Sequence, residues 1–355
     1  MRSELVPIVD TIYTEMANLQ PGSDVLVIAD SRTAYDIVEL FTGQARAHGA
    51  TAQALIVPTP PSASVQPSIE WSRTVVAATT TPDLIVDLSV GYAQFMVEAV
   101  RRGARIISPG DGTGHENFGE VLLRTVGRVD IHRLRREADQ IAAAFSQAAR
   151  CRVTSQAGMD LTIDISGLRG DPGDGFLWDP DRGGWKGTWA LVPPAQPGVL
   201  VPTGRSNGWI VADGFVLWQP DDIEFPHTPV RLHVTDGYID EIDGDAWHAP
   251  RLRDWLASVD TAGDRSAYHG PVHANIGTNP QAKLSQHLEF ERLRGTITFG
   301  FGDDAMLTQL TKTAPAGVSS PVHWDVMALL PTVILDDRPI VTAGIISDDL
   351  PPGAR

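Results

Sequence analysis

The chain has 355 residues, 42% of them hydrophobic and 20% charged. That is long enough for two domains with a sizeable core, and too apolar for extended disorder. A formal net charge of −16 repels nucleic acid and anionic membrane surfaces, so neither is expected as a partner. The single cysteine, Cys151, excludes a disulfide framework or thiolate metal cluster within one chain.

The opening MRSELVPIVDTIY contains no apolar run of signal-peptide length, and no stretch reaches the ~18 apolar residues of a spanning helix. A soluble, cytoplasmic protein is the expectation. Residues 1–150 alternate short apolar runs with helical patterns. Asp24 to Ala29 reads as a strand, and Ser31 as the cap of a helix reaching His48 and stopped by Gly49. Gln53 to Val57 is a second strand, ended by the Pro58–Pro61 cluster. Leu84 to Leu88 is a third, followed by a helix around Phe95 to Arg102. Arg105 to Ser108 is a fourth.

Strands of this length separated by helices predict a doubly wound, mainly parallel α/β domain over 1–150, Rossmann-like in outline. Ligands approach such a sheet at the carboxyl ends of its strands. The first strand runs into ADSRTAYD without glycine, so the dinucleotide fingerprint is missing from its place. Gly110, Gly112 and Gly114 lack the P-loop Lys-Ser/Thr and read as a turn, with His115 beside it as a surface group. Asp130 to Ala149 reads as one long helix, with Ile131, Leu134, Ala138, Ile141 and Phe145 at three- and four-residue spacing.

From 151 to 355 the pattern changes to alternating strands, with most of the 33 glycines and 26 prolines in this half. CRVTS, MDLTIDIS, WIVADGFVLW and VRLHVTDGYIDEIDG predict an α+β domain with mainly antiparallel pairing. The stretch DPGDGFLWDPDRGGWKG (171–187) is polar, glycine-rich and aromatic. It is irregular in outline, and its tryptophans either line a site or cover a core edge. Arg251 to Val259 reads as an amphipathic helix, Leu293 to Phe301 as a strand, and Pro339 to Ile346 as the closing strand. His48, His132, His227, His233, His248 and His287 read as surface or satisfied groups. Glycine-rich turns and an acidic surface leave a homo-oligomer as the expected assembly.

The stretch Pro321-Val322-His323-Trp324-Asp325-Val326-Met327 is mostly apolar, and Pro321 disfavours a helical start. On a strand His323 and Asp325 share one face, whereas on a helix they diverge by roughly 200°. Such a pair is either an ordinary hydrogen-bonded couple or part of a metal site with open positions. One further histidine would complete the two-histidine, one-carboxylate set of non-haem Fe(II) oxygenases. Upstream, Tyr268-His269-Gly270-Pro271-Val272-His273 leads into a Gly-Thr-Asn-Pro turn, expected to set the direction in which His273 points.

HANIGTNPQA together with SPVHWDV, SQAGMDLTIDI and LDDRPIVTAG resembles a superfamily with two branches. These are the aminopeptidase T-type metallopeptidases and the 2,5-dihydroxypyridine 5,6-dioxygenases. The resemblance spans most of residues 150–346 and, loosely, the α/β half. The peptidase branch implies a two-metal clamp, with a glutamate where this chain has His273. Its other ligands fall here on Val199 of Gly198-Val199-Leu200 and on Thr298 of Gly295-Thr296-Ile297-Thr298, neither a good metal donor.

The dioxygenase branch implies one Fe²⁺ on His273, His323 and Asp325, with positions left for a small aromatic substrate and O₂. It also carries histidines near Val90 to Ala93 and near Trp185 to Trp189, where this chain has none. Those departures leave the substrate open. Tyr92, Trp185 and Trp324 become the pocket candidates, with Tyr92 and Lys186 as possible substitutes for the missing imidazoles. The alternatives are a metallohydrolase using one Zn²⁺, whose ligand preferences overlap, and a non-catalytic relative with a structural His–Asp network.

Overall fold

The computed structural model describes residues 3–59, 69–109, 117–217, 223–284, 287–311 and 317–353. Gly110, Gly112, Gly114, His115, part of the Pro58–Pro61 cluster and the side chain of His287 lie outside the described residues.

Short valine-, isoleucine- and alanine-rich runs build a five-stranded parallel sheet. Its spatial order is Trp189–Leu191, Arg105–Ser108, Leu84–Asp87, Asp24–Asp30, Thr51–Val57. Alternate residues face opposite ways. Val25, Val27 and Ala29 enter one cluster with the helix Tyr35–Ala47, while Leu26 and Ile28 enter another with Gln94–Arg101. The helix expected from Ser31 begins later, at Tyr35. Asp30 Oδ1 takes the N–H groups of Arg32 and Thr33 and holds that segment in a turn. The long helix is Ile131–Gln147, and Asp130 caps it by accepting from Arg133 N–H at 2.9 Å.

The second half adds two antiparallel sheets. One has eight strands, from Tyr238–Gly244 through Val230–Thr235, Ser206–Ala212, Asp160–Asp164, Arg150–Thr154, Thr332–Leu335 and Arg338–Thr342 to Ile345–Ile346. The other, the site sheet, has seven. Their order is Ile223–Glu224, Phe215–Leu217, His323–Ala328, Ile297–Gly302, His273–Ile276, Gly198–Leu200, Gly170–Asp171. A large apolar cluster joins the two, with Val153, Leu161 and Ile210 on one side and Val199, Ala274, Phe299 and Val326 on the other.

A cut at residue 150 does not describe where the first sheet ends. Trp189–Leu191 pairs in parallel with Arg105–Ser108, and Phe176, Leu177, Ala190 and Val192 enter the core of the first sheet. Three residues inside WKGTWALV carry too little alternation to announce a strand; the partner across the sheet creates it. WIVADGFVLW likewise divides between two sheets, as Ser206–Ala212 and Phe215–Leu217. The intervening Asp213 turns the chain and accepts from Leu329 N–H. Arg251–Val259 is the greater part of the helix His248–Val259, and Leu293–Phe301 shrinks to the strand Ile297–Gly302. The last apolar run is two strands, Arg338–Thr342 and Ile345–Ile346. No helix among the described residues is long and apolar enough to cross a membrane.

Trp324 is a core residue and not a pocket residue. Strand alternation sends it to the face opposite His323 and Asp325. There it is fully buried, stacks on Phe301 at 4.6 Å, meets Trp255 edge-on and donates Nε1–H to Ala267 carbonyl at 3.0 Å. Replacing Trp324 with alanine should cost about 3–5 kcal/mol. Urea unfolding should therefore show a lowered midpoint, with a smaller loss in Trp324→Phe.

Candidate metal centre

Three neighbouring strands of the site sheet bring the centre together. His273 pairs with Gly300, and Gly300 pairs with Asp325 on its other side, so the three stand in one row across the sheet. His323 lies two residues from Asp325 on the same face. Gly300 matters because it has no side chain. A Cβ there would come within 2.1 Å of His273 Nε2, so the imidazole lies across the glycine towards Asp325. The pairing on both sides of His273–Ile276, more than the Gly-Thr-Asn-Pro turn, sets the direction of this histidine.

His273 Nε2 stands 3.1 Å from Asp325 Oδ1, and His323 Nε2 stands 3.6 Å from Asp325 Oδ2. One donor atom from each residue lies within 4.8 Å of the others, and all three residues are buried. His323 Nδ1 is 2.8 Å from the Asp303 carbonyl oxygen, which can only accept. Nδ1 therefore carries the proton, and Nε2 presents its lone pair to the centre. The Asp303 carboxylate holds this turn by accepting from the N–H groups of Met306 and Ser320. Burial raises the Asp325 pKa, but the charges and contacts of His323 and His273 outweigh it and hold the carboxyl below its ordinary value.

Among the described residues Asp325 Oδ1 and His273 Nδ1 are buried without an aligned hydrogen bond. An unpaired buried carboxylate oxygen is costly, and a cation between the three residues would satisfy it. The donor set, two imidazole nitrogens and a carboxylate, fits a divalent transition metal on one face with the opposite face open. Val199, one of the positions compared with the peptidases, is buried in the core, and Thr298 is buried with no partner for its hydroxyl among the described residues.

The centre opens into a cavity of about 480 Å³. Tyr92 lines it from the first sheet. It follows a loop in which Asp87 accepts the N–H groups of Ser89, Val90 and Gly91 and the hydroxyl of Ser108. Burial pushes the Asp87 carboxyl up to about 6 against those four donors. Tyr92 meets His323 edge-on at 5.8 Å and stacks on Trp189 at 5.6 Å. Trp185 lines the outer part of the cavity, 43% exposed, with the Arg105 guanidinium 3.4 Å over its ring. Lys186 is tied to Asp174 and lies 3.4 Å from Asp139.

Several lining residues went unread in the sequence. Trp189 lay in a stretch noted only for its aromatics. Asn275 could have been found, because it follows His273 by two on a strand and so shares its face. Gln196 and Glu291 could not. Glu291 accepts from Gln196 Nε2 at 2.8 Å and Arg292 Nη1 at 2.6 Å. The fully buried Arg292 reaches the carbonyls of Pro193 and Pro109, contacts between distant segments.

The family model described as "NicX: 2,5-dihydroxypyridine 5,6-dioxygenase" matches residues 9–348. The chain belongs to this family. It is accordingly an enzyme, a ring-cleaving dioxygenase, acting on an aromatic substrate with O₂. Among solved structures, the 2,5-dihydroxypyridine dioxygenase from Pseudomonas putida KT2440 matches with a TM-score of 0.74 at 18% identity, covering 97% of each chain. Wild-type AmpT from Thermus thermophilus matches at 0.64 and 14% identity, over 97% of this chain and 98% of that one. At these identities both likenesses are of fold. No curated protein matches the chain in sequence.

The dioxygenase should lose metal affinity by about tenfold or more on Gly300→Ala, since the added methyl displaces a ligand ring. Calorimetric titration with a divalent metal checks this, and circular dichroism checks that the sheet persists.

Proposed function

We propose that this dioxygenase uses a single Fe²⁺ held by His273 Nε2, His323 Nε2 and a carboxylate oxygen of Asp325. The observation that carries the reading is the convergence of those three buried donors, within 4.8 Å of one another, at the wall of a large cavity. Iron(II) in that set would supply a redox-active centre where substrate and O₂ meet on the open face. A hydroxylated aromatic ring is the substrate class that the family and the cavity support together.

The protein's own contribution is placement. Tyr92 and Trp189, stacked on each other, form an aromatic wall beside His323, against which a ring can lie flat or edge-on. The phenol of Tyr92 is the side chain placed to exchange a proton with a ring hydroxyl. Trp185 covers the outer rim, where it limits access of water. The Asp303 carbonyl keeps His323 in the tautomer that leaves Nε2 bare. The reading also places the enzyme in the cytoplasm as a homo-oligomer, which light scattering can check.

Anaerobic reconstitution should yield about one iron per chain, as expected of one facial ligand set. O₂ uptake should follow with a hydroxylated ring on an oxygen electrode. His323→Ala and Asp325→Ala should each lower kcat/KM by more than about a hundredfold, beyond the loss seen for outer-sphere partners. Two divalent ions per chain, or full activity without iron, would count against the proposal. Zinc-supported activity in the absence of O₂ would favour a hydrolase instead.

A further inference from the structure

The site sheet continues beyond the metal centre. From His273–Ile276 it runs through Gly198–Leu200 to the edge strand Gly170–Asp171. Cross-strand partners project to one face. Leu200 pairs with His273, while Gly198 pairs with Asn275 on one side and Asp171 on the other. Asn275 and Asp171 therefore share the face that carries His273 and Asp325. Neighbouring strands lie ~4.8 Å apart, so Asp171 stands ~10 Å from the His273 strand and ~19 Å from the His323 strand.

Asp171, Leu200, Asn275, His273 and Asp325 line the same cavity. Its volume, about 480 Å³, lies in the range that encloses a drug-sized molecule. A single hydroxylated ring placed against the imidazoles would occupy one end of it.

The floor between the two ends is low, with Leu200 beside His273 and the Asn275 amide next to it. A Cβ at Gly198 would come within 2.1 Å of Asn275 Oδ1, so the Asn275 amide spreads over that strand towards Asp171. Among the described residues this amide makes no hydrogen bond. The Asp171 carboxylate accepts one, from Gly173 N–H to Oδ1 at 2.9 Å. Around it, Lys186 is engaged by Asp174 and Asp139, and Arg169 is exposed. The buried Arg135 also lies 3.8 Å from Asp174, so three cations balance the three carboxylates at this end. Among the described residues the Asp171 carboxylate takes one hydrogen bond, from Gly173 N–H, and a donor on a ligand in the cavity complements its remaining capacity.

We infer that the substrate is a hydroxylated aromatic ring bearing an extended substituent that ends in a hydrogen-bond donor, an amine or amide N–H. Asn275 lies along its path, and Asp171 at its end reads the donor. The inference rests on the proposal that the ring itself binds at the imidazole end.

The test compares 2,5-dihydroxybenzamide with the same ring carrying an aminobutyl arm on its amide nitrogen. Binding to the anaerobic iron-loaded enzyme is measured by calorimetry. The arm should raise affinity about tenfold or more, as expected for a hydrogen bond to a charged group. Asp171→Asn keeps an acceptor for Gly173 N–H and should abolish that gain. Equal affinity for the two compounds, no binding of the armed ring, or a gain that survives in Asp171→Asn overturns the inference. Parallel O₂ uptake separates the two readings. A preference for the arm without O₂ uptake leaves the substrate inference standing and removes the dioxygenase mechanism. Turnover of the bare ring with no gain from the arm does the reverse.

Discussion

A carboxylate shut away from water between two imidazoles is the constraint that the rest of the structure serves. Asp325 is 1% exposed, and an ionised group in that position is tolerated only with compensating charge close by. His273 and His323 gather with it into a donor set that could hold a cation supplying that charge, and the gathering depends on strand register. Slipping the His273 strand by one residue against the Gly300 strand would turn its imidazole to the opposite face. Packing resists such a slip, since Trp324, Phe301 and Trp255 interlock on the far side of the same strands. The polar row and the aromatic row are two faces of one arrangement.

The cavity exists because two architectures meet at it. A doubly wound sheet leaves room at the carboxyl ends of its strands, and there the chain delivers Tyr92 and Pro109. The antiparallel site sheet offers a flat face carrying the ligand set. Residues 189–191 join the edge of the first sheet, which sets Trp189 against Tyr92. Arg292 ties the junction by reaching the carbonyls of Pro109 and Pro193 while pairing with Glu291. A buried guanidinium with several acceptors adds geometric definition more than net stability.

Rigidity is distributed to match. Asp303 and Asp87 spend their carboxylates on backbone N–H groups next to site residues, fixing the loops that carry His323 and Tyr92. Orienting ligands through such outer contacts is what keeps a metal centre's geometry from drifting. The far end of the cavity is built differently, from an edge strand and an amide that bridges a glycine.

Much of this was legible in the residues. Period-two alternation placed His323 and Asp325 on one face, and alternating strands and helices announced the parallel sheet, because both are local properties of the backbone. The same alternation, applied to Trp324, would have sent it to the core at once. The motifs around His273 and His323 carried the family resemblance, though nothing local could bring segments fifty residues apart to one point. Tertiary structure alone decided the rest: Gly300 as the clearance for His273, the strand at 189–191 borrowed by the first sheet, the Arg292 tie, and the placement of Asp171 on the sheet face that carries the metal row. Each of these depends on which strand lies beside which. That choice is made by the packing of whole sheets, for which a short stretch of sequence carries no local signal.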